Sequence, residues 1–378
     1  MAIISMPGRY VVPEAVDALR AGADVMIFSD GISVAEERAL KAMAEGLNRL
    51  IMGPDCGTAF IGGLGLGFCN VLSGGSVGIV AASGTGAQQV ACLLEARGIG
   101  VGSIVGVGGR DTSDAIAGLS ALRALALLDA NPTITLIALI SKPPGPRTMQ
   151  RLHERVAMLR TPVVFGLIGE DDGDLTTIAA DVAERCGQLF APPRVRVGTR
   201  RAGTVPVAGL FSGGTLAAEA RHILECNEIQ VAGLDDLAGC TPRAIAAHQG
   251  NFVVDMGDDR LTAGRPHPMI DATLRREVIG ALAQSRRPRH LLLDIVLGHG
   301  ADDEPVAALA PAIADFLAAD ERSGVTASVT GTENDPQSVD RQWGLLADLG
   351  CTVHESSAAA AREVSAACAG RVDSEKEA

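Results

Sequence analysis

The chain has 378 residues, room for two or three domains with cores of their own. Its formal net charge of −13 argues against a nucleic-acid backbone as partner, and its apolar runs stay short of the roughly 18 residues a membrane span needs. Eight cysteines form no CxxC pair and no Cys/His cluster, so neither a disulfide framework nor a metal site is predicted. The opening Met-Ala-Ile-Ile-Ser lacks the basic and apolar regions of a secretion signal, which places the protein in the cytoplasm. One Trp, one Tyr and eight Phe beside 45 Gly suit an α/β protein with short turns and closely packed helices.

In chain order, Ala2 to Met6 reads as a strand, Pro13 to Ala21 as a helix and Asp24 to Phe28 as a strand. Val34 to Leu50 reads as an amphipathic helix, and Leu50 to Met52 as a strand stopping at Gly53-Pro54. This is the rhythm of a parallel sheet, without the first strand and Gly-rich turn of a nucleotide-binding domain, so residues 1–75 read as the later half of one plus a linker. Asp55 to Gly75 is expected to be that linker, with an ordered loop. Strands follow at Gly78–Ala82, Gly102–Val107, Ile134–Ser141 and Pro162–Leu167, then a helix from Leu175 to Cys186. Pro192 to Gly203 reads as an inter-domain linker.

From Val207 the pattern returns as an internal repeat. Ser83-Gly84-Thr85 is echoed by Ser212-Gly213-Gly214-Thr215, and Val107 to Asp111 by Met256 to Asp259. Leu136–Ile140 with Ser141-Lys142-Pro143 is echoed by Leu291–Leu297 with Gly298-His299-Gly300, and Pro162–Gly169 by Thr326–Glu333. The expected domains are therefore 76–200 and 201–372, with final helices at Ser338–Leu349 and Ser357–Ala369 and a polar tail over 373–378.

Ligands of open α/β sheets gather at the carboxyl ends of strands, where the turns of the repeat lie. Ser83-Gly84-Thr85-Gly86 follows the strand Val77–Ala82 and opens a helix, so its N–H groups and the helix dipole favour an anion such as phosphate. Ser212 to Thr215 and Gly298-His299-Gly300 are further anion candidates. Gly264-Arg265-Pro266-His267-Pro268 sets an Arg fork beside a His in a Pro-fixed loop, which suits a planar carboxylate or phosphate. Arg265, His267 and His299 are the candidate catalytic residues; Lys142 and Arg110 are candidate substrate contacts. The remaining histidines are read as having no metal partner at helical spacing.

These motifs together resemble the succinyl-CoA synthetase superfamily and, within it, the FdrA family. Gly53-Pro54-Asp55-Cys56-Gly57 looks like the Gly-Pro-Asn-Cys-Pro-Gly motif that ends the CoA-binding domain of the ligase alpha subunit, with Asp for Asn and the second Pro missing. Ser83-Gly84-Thr85 and Gly106 to Gly109 are similar to its phosphate turn and next strand end; Gly298 to Gly300 stands where the beta subunit's phosphate-facing helix begins. Ile140 to Pro144, Phe211 to Leu216, Gly264 to Asp271 and Gly331 to Glu333 look FdrA-like. The fold this implies is a truncated Rossmann-like CoA-binding domain followed by two flavodoxin-like domains of succinyl-CoA synthetase type.

Ligases of this kind carry phosphate on a histidine after the alpha-subunit domain, and residues 169–203 here contain none. Phosphate is then expected as a substrate; CoA is what the resemblance implies as cofactor, and the missing first strand counts against it. The FdrA resemblance implies a carbamoyltransferase subunit of purine (allantoin) breakdown, converting oxalurate and phosphate to oxamate and carbamoyl phosphate within a hetero-oligomer. The alternatives are an ADP-forming acyl-CoA synthetase acting on an unknown acid, and a non-catalytic scaffold subunit.

Overall fold

The computed structural model describes residues 1–169, 173–200 and 202–369; the expected tail, 373–378, lies outside them. The chain folds into two compact units, Met1–Phe190 and Ala191–Ala378. Both are α/β, with sheets dominated by parallel strands.

The first unit opens with β1 (Ala2–Ile4), α1 (Val11–Arg20), β2 (Val25–Ile27), α2 (Val34–Gly46) and β3 (Ile51–Met52), a parallel sheet in the order β1-β2-β3. Helix α2 starts where Ser33 and Glu36 form a reciprocal capping box. The stretch expected as a linker is instead a hairpin, β4 (Thr58–Ile61) and β5 (Leu64–Gly67). Gly62 and Gly63 turn it with φ of 62° and 81°, a conformation that glycine adopts without a Cβ clash. The glycines that allow this turn also diluted the apolar alternation of its strands.

A six-stranded sheet in the order β5-β4-β7-β6-β8-β9 follows. Its new elements are β6 (Val77–Ala81), α3 (Gly84–Glu95), β7 (Val101–Gly106), α4 (Leu119–Ala130), β8 (Leu136–Ser141), α5 (Pro146–Val156), β9 (Val163–Leu167) and α6 (Leu175–Arg185). Val77 to Ala81 is buried throughout, as a central strand covered on both faces must be.

The second unit contains β10 (Val195–Arg196), β11 (Val207–Phe211), α7 (Gly214–Cys226), β12 (Val231–Ala232), α8 (Pro242–Ala247), β13 (Asn251–Asp255), α9 (Asp259–Thr262) and α10 (Thr273–Ser285). It continues with β14 (His290–Val296), α11 (Pro305–Ala319), β15 (Gly324–Thr330), α12 (Val339–Asp348), β16 (Thr352–His354) and α13 (Ser357–Cys368). The sheet order is β10-β16-β15-β14-β11-β13-β12. Strand β10, in the other stretch expected as a linker, pairs antiparallel with β16 and closes that edge.

The repeat is visible in the topology. Strands β7-β6-β8-β9 of unit 1 and β13-β11-β14-β15 of unit 2 have one connection order, 2-1-3-4, and β16 adds a fifth strand to the flavodoxin-like pattern. The register fixes the equivalence: Ala81 pairs with Gly106 in unit 1, and Phe211 with Asp255 in unit 2.

Candidate functional site

In unit 1 the turn after β6 leads into α3 through the N-cap Ser83, whose Oγ accepts the Gly86 N–H at 2.9 Å. That cap serves one amide of the first turn; Gly84 and Thr85 supply two more, and the turn holds no acidic residue. Ser83, Gly84 and Thr85 are half-buried, with Gly86 beneath them. The hairpin brings Thr58 against this turn: a Cβ at Gly84 would stand 3.0 Å from Thr58 Oγ1.

The Gly53-Pro54-Asp55-Cys56 motif packs beside the same strand ends. Gly108 has φ of 86°, and a Cβ there would strike the Pro54 carbonyl oxygen at 2.3 Å, so the two backbones touch directly. Cys56 Sγ lies 3.3 Å from the Gly106 carbonyl oxygen, and burial pushes the thiol up to about 12. Pro54 and Cys56 are buried while Asp55 is exposed, so the motif joins two sheets and turns one side chain outward.

Of the two expected substrate contacts in this unit, Arg110 is engaged in an ion pair within the protein and Lys142 is exposed. Arg110 reaches back to α2, with Nε 2.9 Å from Glu37 Oε2 and a bond from Nη2 to the Ile32 carbonyl. It caps a buried charge cluster in which Lys41 Nζ meets Glu37 Oε1 and Asp111 Oδ1, each at 2.8 Å. Lys142 is exposed at the end of β8, where its carbonyl accepts the Ser141 hydroxyl at 2.5 Å.

In unit 2 the echo of the turn is displaced by one residue. The N-cap of α7 is Gly213, so Ser83 corresponds to Gly213 and not to Ser212. Successive strand residues face opposite ways, and the Ser212 side chain accordingly turns inward. Its N–H and hydroxyl bind the two oxygens of buried Asp294 at 2.7 and 2.8 Å, so Ser212 has no donor left for a ligand. Arg275 Nη1 completes the clamp, 3.0 Å from Asp294 Oδ1. Burial pushes the Asp294 carboxyl up, with Arg275 and the Ser212 donors pulling against it.

Gly213, Gly214 and Thr215 open α7 without a side-chain cap from Gly213. A Cβ at Gly214 would lie 2.6 Å from Asp255 Oδ2, and the other oxygen of Asp255 accepts the Gly257 N–H at 2.9 Å. His267 is the member of the Arg-Pro-His loop that joins this group: its Nε2 would stand 2.8 Å from a Cβ at Gly257. Its Nδ1 accepts the Met269 N–H at 3.2 Å, and burial, then Arg275, push the imidazole down to about 4. Arg265 faces away, exposed and paired with Glu277 at 3.0 Å, so the expected fork is not presented beside His267.

The third turn is not a helix N-terminus. The Gly298 N–H donates to Gln337 Oε1 at 3.0 Å, Gln337 returns a bond to the Gly298 carbonyl, and α11 begins only at Pro305. His299 and Gly300 are exposed. A depression of ≈ 470 Å³ beyond them is lined by Asp271, Asp302 and Asp303 as well as Thr273 and Arg276, a wall that disfavours anions. His222 faces Cys226 one turn on, with Nε2 and Sγ 3.4 Å apart. Among the described residues no group of three or more His, Cys, Asp or Glu could hold a metal ion, and no helix is long and apolar enough to cross a membrane.

Thr58, Asp255, Arg275 and Asp294 were not singled out in the sequence. Asp294 had a signal, a lone charge inside the apolar run His290 to Val296, and a buried charge demands partners. Arg275 and Asp255 are ordinary in sequence; only the fold distinguishes them, Asp255 at the end of β13 and Arg275 buried on α10 against Asp294.

Residues 210–367 of this α/β protein match the CoA-ligase family model. The chain belongs to the family of the uncharacterized protein YahF of Escherichia coli (strain K12), with 34% identity over 383 residues, covering 94% of this chain and 74% of that protein. Subunit alpha 2 of an ADP-forming succinate–CoA ligase of Archaeoglobus fulgidus is 26% identical over 52% of this chain and 66% of that subunit. The alpha subunit of malate–CoA ligase of Methylorubrum extorquens is 30% identical over 36% of this chain and 48% of its own length. The chain thus spans about half to two thirds of these ligase subunits. Among solved structures, a dinucleotide-forming acetyl-coenzyme A synthetase of Ca. Korarchaeum cryptofilum aligns over 98% of this chain and 83% of that one, with a TM-score of 0.36 and 17% identity.

Proposed function

We propose that this chain is a CoA-ligase-type acyl-transfer protein that takes phosphate as a substrate at the Ser83–Gly86 turn. The turn supports this reading through the Gly84 and Thr85 amides at the start of a 12-residue helix with no acidic residue in its first turn. The match to the CoA-ligase family and the succinate– and malate–CoA ligase relatives support an acyl-CoA or its acid as the other substrate. In the reaction proposed, a phosphate oxygen attacks the thioester carbonyl, the C–S bond breaks and CoA leaves as the thiol, giving an acyl phosphate. Amides fixed around the phosphate orient it without reorganising, the form in which electrostatic stabilisation is most effective.

A second reading is an FdrA-like carbamoyltransferase subunit acting in a hetero-oligomer, with oxalurate in place of the thioester. The absence of histidine from residues 169–203 favours it, since a phosphohistidine relay in that segment is then not available. His267, neutral with Nδ1 accepting the Met269 N–H, carries its proton on Nε2, beside Gly257.

The test supplies the protein, alone and with its co-expressed genomic neighbours, with phosphate and either acyl-CoA thioesters or oxalurate. Phosphate-dependent release of free CoA thiol supports the first reading, and carbamoyl phosphate formation the second. Neither product from any combination defeats both and leaves the scaffold alternative.

A further inference from the structure

Helix α7 carries His222 and Cys226 four residues apart, so both side chains rise from one face of the helix. The backbone beneath them is anchored, because Ala220, Ile223 and Leu224 are buried. His222 is half-buried and Cys226 is exposed, which leaves the outer side of the pair to solvent.

His222 Nε2 and Cys226 Sγ stand 3.4 Å apart. Zinc binds an imidazole nitrogen at about 2.0 Å and a thiolate at about 2.3 Å, which sets tetrahedral neighbours about 3.5 Å from each other. The two donors therefore already have the spacing that one tetrahedral ion imposes, with no backbone movement required. The local charge also favours a cation. Cys226 is the last residue of α7, and the carboxyl end of a helix carries partial negative charge. Arg221, one residue before His222, is tied to Glu225 at 2.7 Å, so its guanidinium is already neutralised.

We infer that His222 and Cys226 form a bidentate site for a borderline-soft divalent cation such as zinc, with two coordination positions left to water. Thiolate and imidazole together select such ions over magnesium and calcium, which take oxygen ligands. On binding, the Cys226 S–H bond gives its proton to solvent as the sulfur–metal bond forms. His222 binds through the lone pair of Nε2 and keeps its proton on Nδ1. The site is at the far end of α7 from the Gly213–Thr215 turn and does not rest on the proposed function.

Titration of the reduced full chain with cobalt(II) tests the inference, because thiolate-to-cobalt charge transfer gives a near-ultraviolet band that oxygen ligands do not. The band should saturate at one cobalt per chain and be bleached by zinc. It should vanish in Cys226→Ser and persist in Cys240→Ser, which removes the other exposed thiol. In His222→Ala cobalt should bind at least about 10-fold more weakly, the loss that even an outer-shell partner of a metal brings. No band on the wild type, a band retained in Cys226→Ser, or equal affinity in His222→Ala overturns the site. Zinc should also protect Cys226, and not Cys240, from iodoacetamide; equal labelling of Cys226 with and without zinc overturns it as well.

Discussion

Lys41 Nζ stands 2.8 Å from Asp111 Oδ1, with both side chains buried, and Asp111 in turn accepts the backbone N–H groups of Ser120 and Ala121 at the start of α4. One ammonium thus ties α2, beside the three-stranded sheet, to the loop and helix after β7. Its third donor binds the Val107 carbonyl at 3.0 Å, so the charge is fully coordinated. Removing it by Lys41→Met leaves Asp111 a buried carboxylate without its cation and Glu37 with Arg110 alone. The expected loss is about 3–5 kcal/mol of stability, read as a lower denaturant midpoint. An unchanged midpoint would mean the cluster is not buried as described.

Ser83→Ala removes the hydroxyl that accepts the Gly86 N–H. Loss of an N-cap costs about 1 kcal/mol, which calorimetric melting will detect as a lowered unfolding temperature. If phosphate binds this turn, the variant should also bind it more weakly, because the first turn of α3 becomes less well fixed. Equal phosphate affinity in the two proteins would separate the cap from the binding site.

His290 is buried, with Nε2 2.8 Å from Thr326 Oγ1, and burial pushes its imidazole down to about 4. His267 is depressed to a similar value, by burial and then by Arg275. An unfolded chain protonates histidine near pH 6.5, so below that pH it binds protons that the folded chain refuses. The stability these groups contribute is therefore intact above about pH 6.5 and lost as the pH falls toward 4. Unfolding temperature should drop between pH 7 and pH 5, and less steeply in His290→Gln than in wild type. Parallel pH profiles for the two proteins would exclude His290 as a source.

Cys56 and Cys351 are buried, and burial pushes both thiols up to about 12, whereas Cys226 and Cys240 are exposed. A brief treatment of the native protein with iodoacetamide at pH 8 should label Cys226 and Cys240 and spare Cys56 and Cys351. Peptide mass mapping reads the result. Early labelling of Cys56 would contradict its packing against Gly106.

The sequence by itself determined the layout of helices and strands and the existence of a repeat, because burial on both faces imposes continuous apolar runs such as Val77 to Ala81 and Leu291 to Leu293. It also marked the strand-end turns, since glycine clusters there for reasons local to the backbone. It did not reveal the hairpin at Thr58–Gly67, whose pairing partner β7 lies some forty residues on, nor the one-residue offset that makes Gly213 the counterpart of Ser83. Those depend on sheet register, which is fixed by contacts distant in the chain. The tertiary structure alone decided which polar residues of the turns face each other. It directed Arg110 to Glu37 and Arg265 to Glu277, and it placed Asp255 beside Gly214. The physical reason is that a charge seeks its partner in space, and sequence spacing carries that information only within a helix turn or a strand pair.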